Sequence, residues 1–168
     1  TSLEEIKLPQ KLSVIYDGAF EGCTNLSSIE IPNEVSKIGD KTFAGCISIK
    51  DIKMSERISN IGKYAFKGCT NMSSITIPAK VKNIKSFAFS ECTNLDTLVI
   101  LGRTIIDDYA FSECPQLLDV FCSSELVCSA EDRELRKHYG LEDALIAEEQ
   151  AFANSDIKYA TLHAPANS

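Results

Sequence analysis

The chain has 168 residues, of which 44% are apolar, and a formal net charge of −7. That length is enough for one compact domain, and the acidity argues against a nucleic-acid binder, which would present a basic face. No apolar run approaches the roughly 18 residues of a membrane span, so no membrane insertion is expected of this segment, and no basic-then-apolar targeting signal opens it.

From its first residues the chain is repetitive, and repeats decide an architecture before any local propensity does. Cysteines fall at 23, 46, 69, 92 and 114, with spacings of 23, 23, 23 and 22. Three residues before them stand Phe20, Phe43, Phe66, Phe89 and Phe111, preceded by Ala19, Thr42, Ala65, Ala88 and Ala110. Eight residues before the cysteines come Ile15, Ile38, Ile61, Ile84 and Ile106. Three residues after them come Leu26, Ile49, Met72, Leu95 and Leu117; six after, Ile29, Ile52, Ile75, Leu98 and Val120; eight after, Ile31, Met54, Ile77, Ile100 and Cys122. The chain opens part-way through such a unit, because Leu3, Ile6, Leu8 and Pro9 fill the strand positions of a rung whose Phe and Cys are absent. An end with no polar cap exposes strand edge and core, so a fragment of a longer protein, or one that has lost upstream repeats, is expected.

The L-x-x-L-x-L spacing after each cysteine predicts a short strand. Alternation with period two then sends the six-after and eight-after residues inward and their neighbours outward. The outward pairs, rung by rung, are Glu5/Lys7, Ser28/Glu30, Asp51/Lys53, Ser74/Thr76, Thr97/Val99 and Asp119/Phe121. Pro32 and Pro78 follow the strand directly, where a residue without an N–H ends a ladder. Next comes an apolar slot, Leu12, Val35, Ile58 or Val81, three residues before the isoleucine. Gly39 and Gly62 are expected in a tight turn with positive φ. No single rung can bury its own apolar face; stacked rungs share one core.

The stretches "IPNEVSKIGDKTFAGCISIKDIKM" and "IGKYAFKGCTNMSSITIP" resemble the BspA-like (treponemal-type) class of leucine-rich repeat, over roughly residues 3–122. The resemblance implies an α/β repeat solenoid: a leucine-rich-repeat right-handed coil with a short parallel sheet on its concave face. Departures are local. Met54-Ser55 replaces Ile-Pro, Lys85 replaces Gly, and "ILGRTII" at 100–106 is one residue short, so the last rung is expected to sit irregularly.

After Cys122 the repeat pattern stops and the charge changes. Residues 1–122 carry 15 Asp and Glu against 13 Lys and Arg, whereas 123–168 carry 9 against 4. The expected division is therefore a solenoid over 1–122 and a mainly helical capping segment over 123–168. Within that segment, Ser129-Ala130-Glu131-Asp132 reads as a helix N-cap and Gly140 as a stop. "LEDALIAEEQAFANS" reads as a second helix with Leu141, Ala144, Leu145, Ala147, Ala151 and Phe152 near one face. "IKYATLH", 157–163, is open between a strand and an ordered tail. The segment is read as a cap over the last rung; an interaction tail is the sharper alternative.

The recurring cysteines are candidates for chemistry, but their spacing argues for packing. Zinc sites want clustered ligands, and these are a rung apart with no histidine beside them. Disulfides need converging Cβ atoms about 3.5–4.5 Å apart, whereas stacked rungs hold equivalent residues at least about 4.7–4.9 Å apart with parallel side chains. Cys122 occupies an inward position, and only Cys128 is out of register; a Cys122–Cys128 bridge and a free thiol both stay open. His138 and His163 lie in no nucleophile or zinc motif, and Asp107-Asp108 and Glu148-Glu149 are adjacent pairs that cannot face each other across a substrate. There is no Gly-rich phosphate loop. No enzyme, no cofactor and no metal site is expected. Two sequons, Asn25-Leu26-Ser27 and Asn71-Met72-Ser73, read either as glycosylation acceptors or as turn asparagines satisfying backbone groups.

The remaining site is the outward strand face, since solenoids use such concave sheets as binding surfaces. Its candidate contacts are Ser28, Glu30, Asp51, Lys53, Ser74, Thr76, Thr97, Val99, Asp119 and Phe121, with Val99 and Phe121 the two least explained by solubility. The expected function is a non-catalytic protein-binding module of a cell-surface or secreted protein. The family resemblance implies adhesion to extracellular matrix proteins or to host or other cells. An intracellular scaffold or a structural spacer in a larger protein is the alternative.

Overall fold

The computed structural model describes residues 4–117, 119–122, 126–127, 145–147, 151 and 161–163. Its regular elements are twelve short strands that build two flanks of a coil, all pairing in parallel. On one flank lie Ser28–Glu30 (β1), Asp51–Lys53 (β3), Ser74–Ile77 (β5), Thr97–Ile100 (β7), Asp119–Cys122 (β9) and Thr161–His163 (β12). On the other lie Lys37–Ile38 (β2), Asn60–Ile61 (β4), Asn83–Ile84 (β6), Ile105–Ile106 (β8), Leu126–Val127 (β10) and Leu145–Ala147 (β11). The first flank is a β1–β3 pair followed by the four-stranded β5–β7–β9–β12 sheet; the second is one six-stranded sheet in the order β2–β4–β6–β8–β11–β10. Register follows the repeat: Ile29 pairs with Ile52, Ile75 with Leu98, and Leu98 with Val120. The predicted alternation holds, with Ile75 and Ile77 buried between exposed Ser74 and Thr76.

The core is a set of columns, each made of one repeat position. Phe43, Phe66, Phe89 and Phe111 are fully buried, and with Phe20 they stack ring on ring at centroid separations of 5.3, 5.2, 4.9 and 4.9 Å with interplanar angles of 11° or less. Each such ring contributes about 1.5–3 kcal/mol by burial and about 0.5–1.5 kcal/mol more by offset stacking. The slot residues Val35, Ile58 and Val81 and the isoleucines 38, 61, 84 and 106 form two further columns, all essentially inaccessible. Ser55, at a proline position, is buried as well, and its hydroxyl donates to the Asn33 carbonyl while accepting the Arg57 N–H.

The segment between the two flanks forms turns rather than helix, and among the described residues there is no helix. The expectation of an α/β solenoid is corrected on this point. Every rung carries two left-handed residues four apart: Gly18 and Gly22, Lys41 and Gly45, Tyr64 and Gly68, Phe87 and Glu91, Tyr109 and Glu113, with φ between 55° and 72°. A right-handed helix cannot propagate through them. What forms instead are single four-residue turns, in which Glu21 donates to Gly18 and Cys23 to Phe20. In the later rungs one left-handed position is aromatic, and Tyr64, Phe87 and Tyr109 form a second ring stack, at 5.3 and 5.1 Å. A left-handed L-residue costs about 1–2 kcal/mol, which stacking of this kind offsets in part.

Gly39 and Gly62 are not among the left-handed residues, so the expected reason for their presence is also corrected. Asp17 Oδ1 accepts the Asp40 N–H at 3.0 Å, and Asp40 Oδ1 accepts the Lys63 N–H at 2.8 Å. A Cβ on Gly39 would run into the Asp17 carboxylate, and one on Gly62 into the Asp40 carboxylate and the backbone of Asp40 and Gly39. Glycine is therefore required by the rung before it. Where Lys63 replaces that aspartate, the next rung carries Lys85 instead of glycine, which accounts for this departure from the repeat. The short rung at 100–106 is absorbed after Thr104. That threonine fills the apolar slot, is 1% exposed, and donates its hydroxyl to the Val81 carbonyl at 2.8 Å.

The expected helix over 141–155 is contradicted where it is described, because Leu145–Ala147 is a strand. It lies between β8 and β10, pairing Ile146 with Ile105 and Ala147 with Ile106. Bare edge N–H and C=O groups on β8 are a strong template for strand addition, and this outweighs the helical pattern. Ala151 is buried and accepts the Phe111 N–H, as Ala110 accepts that of Phe89. Of the alternatives for 157–163, the strand is found: Leu162 pairs with Val120. The helix expected over 129–140 and Cys128 lie outside the described residues.

The glycine–aspartate contact is testable by a double-mutant cycle. Gly39→Ala should destabilise by about 1–3 kcal/mol, and adding Asp17→Ala should recover part of that loss, because a side chain causes the clash. Gly62→Ala should be recovered much less by Asp40→Ala, because removing that carboxylate leaves the backbone clashes at 2.6 Å in place. Urea midpoints of the parent protein and the six variants decide the matter.

Candidate functional site

Six strands or strand positions present the outward face of the first flank. In one row stand Glu5, Ser28, Asp51, Ser74, Thr97 and Asp119, where Glu5 bridges to Ser28 and the rest follow strand register. In the other stand Lys7, Glu30, Lys53, Thr76, Val99 and Phe121. Beyond them β12 pairs its backbone with β9, Thr161 opposite Asp119 and His163 opposite Phe121. No ladder joins β3 to β5, so the face divides. Ser28, Glu30, Asp51 and Lys53 come together on one half. Ser74, Thr76, Thr97, Val99, Asp119 and Phe121 come together on the other.

The first half is charged. Lys53 Nζ donates to Glu30 Oε1 at 2.8 Å, and both side chains are well exposed. This hydrogen bond, then the Lys53 charge and a smaller contribution from Lys7, holds the Glu30 carboxyl below its usual range; the same contact raises the Lys53 ammonium. Exposed pairs of this kind add little stability, so the pair organises a surface more than it holds the fold. Beside it is a cleft of about 420 Å³ lined by Glu5, Lys7, Gln10, Ser28, Glu30 and Asp51 among others.

The second half is uncharged except for Asp119, and one of its rows turns apolar as it proceeds. Thr76 pairs with Val99 and Val99 with Phe121, which is 36% exposed. Two apolar side chains thus lie a strand apart on a face whose other members are polar. Sequence reasoning left 157–163 open to a strand but placed His163 outside the repeat, and so did not set Thr161–His163 beside Asp119–Cys122. A signal was present: Ala151-Phe152 follows Ala147 at the spacing that Ala110-Phe111 has from Ile106.

The cysteine column packs as its spacing suggested. Cys46, Cys69, Cys92 and Cys114 are inaccessible, Cys23 is half-buried, and none of the five is in a disulfide. Their thiols donate to the phenylalanine carbonyl of the previous rung: Cys46 to Phe20 at 3.0 Å, Cys69 to Phe43 at 3.3 Å, Cys92 to Phe66 and Cys114 to Phe89 at 3.2 Å. Burial pushes Cys46 and Cys114 up to about 12, and raises Cys69 and Cys92 as well. These are inert thiols, the opposite of the electropositive, exposed setting that activates cysteine. Among the described residues no group of three or more His, Cys, Asp or Glu side chains is arranged to hold a metal ion. Both sequon asparagines, Asn25 and Asn71, are exposed and line one shallow depression with Glu4, Ser27, Ser48 and Lys50.

This coil, with its leucine-motif sheet and phenylalanine and cysteine columns, is a leucine-rich repeat solenoid. Residues 1–118 match the BspA type leucine rich repeat region in six copies, and the chain belongs to that family. No curated protein matches it. Among solved structures it is similar to the leucine-rich repeat protein TpLRR of T. pallidum, with 22% identity over 89% of this chain and 69% of that one, at a TM-score of 0.62. A leucine-rich cell surface protein from Faecalibacterium prausnitzii A2-165 is similar at 21% identity over 89% of this chain and 44% of that one, with a TM-score of 0.55. The pneumococcal vaccine antigen PcpA is similar at 17% identity over 97% and 42%, with a TM-score of 0.67. The chain thus spans less than half the length of the latter two, and the likeness to all three is one of fold.

Raised thiols make stability pH-dependent with a definite sign. A thiol in the unfolded chain loses its proton near 9, whereas Cys46 and Cys114 in the fold hold theirs to about 12. The stabilisation is complete below pH 9 and is lost as the pH rises through that window, by up to about 1.4 kcal/mol per pH unit per thiol. A Cys46→Ala/Cys114→Ala variant should show a shallower fall of urea midpoint between pH 9 and 11. Peptide mapping after thiol modification at pH 8 should find Cys23 labelled and Cys46, Cys69, Cys92 and Cys114 protected until urea is added. Rapid labelling of all five in the folded protein would contradict the burial.

Proposed function

We propose that this chain is a non-catalytic protein-binding module of a cell-surface or secreted protein, and that it binds through the outward, concave strand face of the solenoid. The observation that carries this reading is the Val99–Phe121 pair. A half-exposed valine and an exposed phenylalanine are held in register on adjacent strands, at the apolar end of a face that is otherwise polar. Aromatic side chains at the centre of a desolvated contact dominate binding energy, while polar neighbours exclude water around them. Ser74, Thr76, Thr97 and Asp119 would form that polar surround. The charged Glu30–Lys53 half would set orientation and encounter rate rather than affinity.

Membership of the BspA-type family and the likeness in fold to a cell surface protein and a vaccine antigen support display outside the cell. A rigid repeat sheet presenting small side chains suits a macromolecular partner better than a small substrate, since solenoids offer extended rather than enclosed surfaces. Extracellular matrix proteins and the surfaces of host or other cells are the partners to try first.

The test is binding of the chain to immobilised matrix proteins and to cultured cells, with Val99→Ser/Phe121→Ala as the diagnostic variant. Loss of an aromatic anchor of this kind should cost about 2 kcal/mol, or roughly thirtyfold in affinity, with unchanged circular dichroism. Unchanged affinity in the folded variant would move the binding site off this face.

A further inference from the structure

A second surface has a chemistry quite unlike the strand face. Where each rung turns from the first flank toward the second, the residue just before the buried slot is exposed. In chain order it is Lys11, Glu34, Arg57, Lys80 and Arg103. Three successive rungs thus place a cation at the same point of the coil, one rung pitch of about 4.7–4.9 Å apart. Lys82 adds a fourth beside them, and together Arg57, Ser59, Ala79, Lys80, Lys82 and Arg103 line a groove of about 480 Å³. No acidic residue is among the described residues that line it, although the chain as a whole carries −7.

Local backbone packing holds this column together. A Cβ on Gly102 would collide with the Ala79 carbonyl, so glycine at 102 lets the two turns close up and sets Arg103 directly beyond Lys80. Ala79 leaves the space between them open. The floor is polar: Ser59 donates to the Ser36 carbonyl at 3.1 Å and accepts from Asn60. At one end the column stops at Glu34, whose carboxylate meets Arg57 Nη1 at 2.8 Å.

We propose that this groove binds a short run of a sulfated polysaccharide along the axis of the coil. Such chains carry anionic groups in a line, which a cation on each rung can meet in turn. Lys80 and Lys82 lie at the centre of the groove as point charges, with an arginine on either side, the residue type best suited to oxyanions. Single-stranded nucleic acid fits less well, because its sites pair basic grooves with aromatic platforms and none of the described lining residues is aromatic. The groove is distinct from the Val99–Phe121 face, and the proposal does not depend on that face binding anything.

The probe is a heparin-derived hexasaccharide, titrated calorimetrically against the folded chain at 50 and 150 mM salt. Binding should be measurable at the lower salt and fall at the higher, as released counterions require. Lys80→Gln/Lys82→Gln should weaken it about tenfold with an unchanged melting curve, and Lys80→Glu/Arg103→Glu should abolish it. Glu34→Lys extends the column by a rung and should tighten binding about threefold, a gain that misfolding cannot imitate. Val99→Ser/Phe121→Ala should leave it unchanged. No binding at 50 mM salt, equal affinity in the Lys80 and Lys82 variant, or equally tight binding of an oligothymidylate of matched charge would each overturn the assignment.

Discussion

The nearest neighbour of almost every side chain in this coil is its own counterpart in the next rung. That single constraint, imposed by parallel pairing at a pitch of about 4.7–4.9 Å, shapes everything else. A position can hold only what tolerates contact with a copy of itself. Phenylalanine does so by offset stacking, cysteine by passing its S–H to the carbonyl one rung back, and aspartate by accepting the next rung's N–H. The same rule works against charge, so exposed positions either alternate in sign, as Glu30 does with Lys53, or accumulate one sign, as Arg57, Lys80 and Arg103 do.

Stacking also explains why departures from the repeat come in pairs. Gly39 and Gly62 each serve the aspartate of the preceding rung, so losing the acid at Lys63 frees position 85 to carry a lysine. Gly102 serves the Ala79 carbonyl in the same way. The left-handed positions show the complementary behaviour. At the first of the two, glycine stands only in the opening rung and Lys41 in the next, while Tyr64, Phe87 and Tyr109 later accept the strained conformation and stack on one another. A repeat protein of this kind is a sum of neighbour interactions, and its irregularities are legible only two rungs at a time.

The C-terminal segment shows the limit of reading a pattern in isolation. Leu145, Ile146 and Ala147 sit in a stretch whose apolar spacing suits a helix, yet they form a strand between β8 and β10. An open parallel edge with unpaired backbone groups is a stronger determinant than local propensity, which is a weak prior that tertiary context overrides. β10 precedes β11 in the chain but lies beyond it in the sheet, so the path from Val127 to Leu145 returns to fill the place between. No periodicity within 123–168 encodes that order, because it depends on which edge is open.

From the sequence alone came the rung length, the inward and outward residues of each strand, the buried role of the cysteines and the composition of the strand face. All of these are set by position within a repeat, and a repeat is visible in one dimension. Tertiary structure decided what depends on two rungs meeting. It divided the strand face between β3 and β5 and brought Thr161 and His163 alongside Asp119 and Phe121. It replaced the expected helix with turns carrying two left-handed residues per rung, and gathered Arg57, Lys80, Lys82 and Arg103 around one groove. Those outcomes rest largely on contacts between residues one rung apart in space, 22 or 23 positions apart in the repeat and 42 for Thr161 with Asp119, whose steric and electrostatic terms exist only once the rungs are stacked.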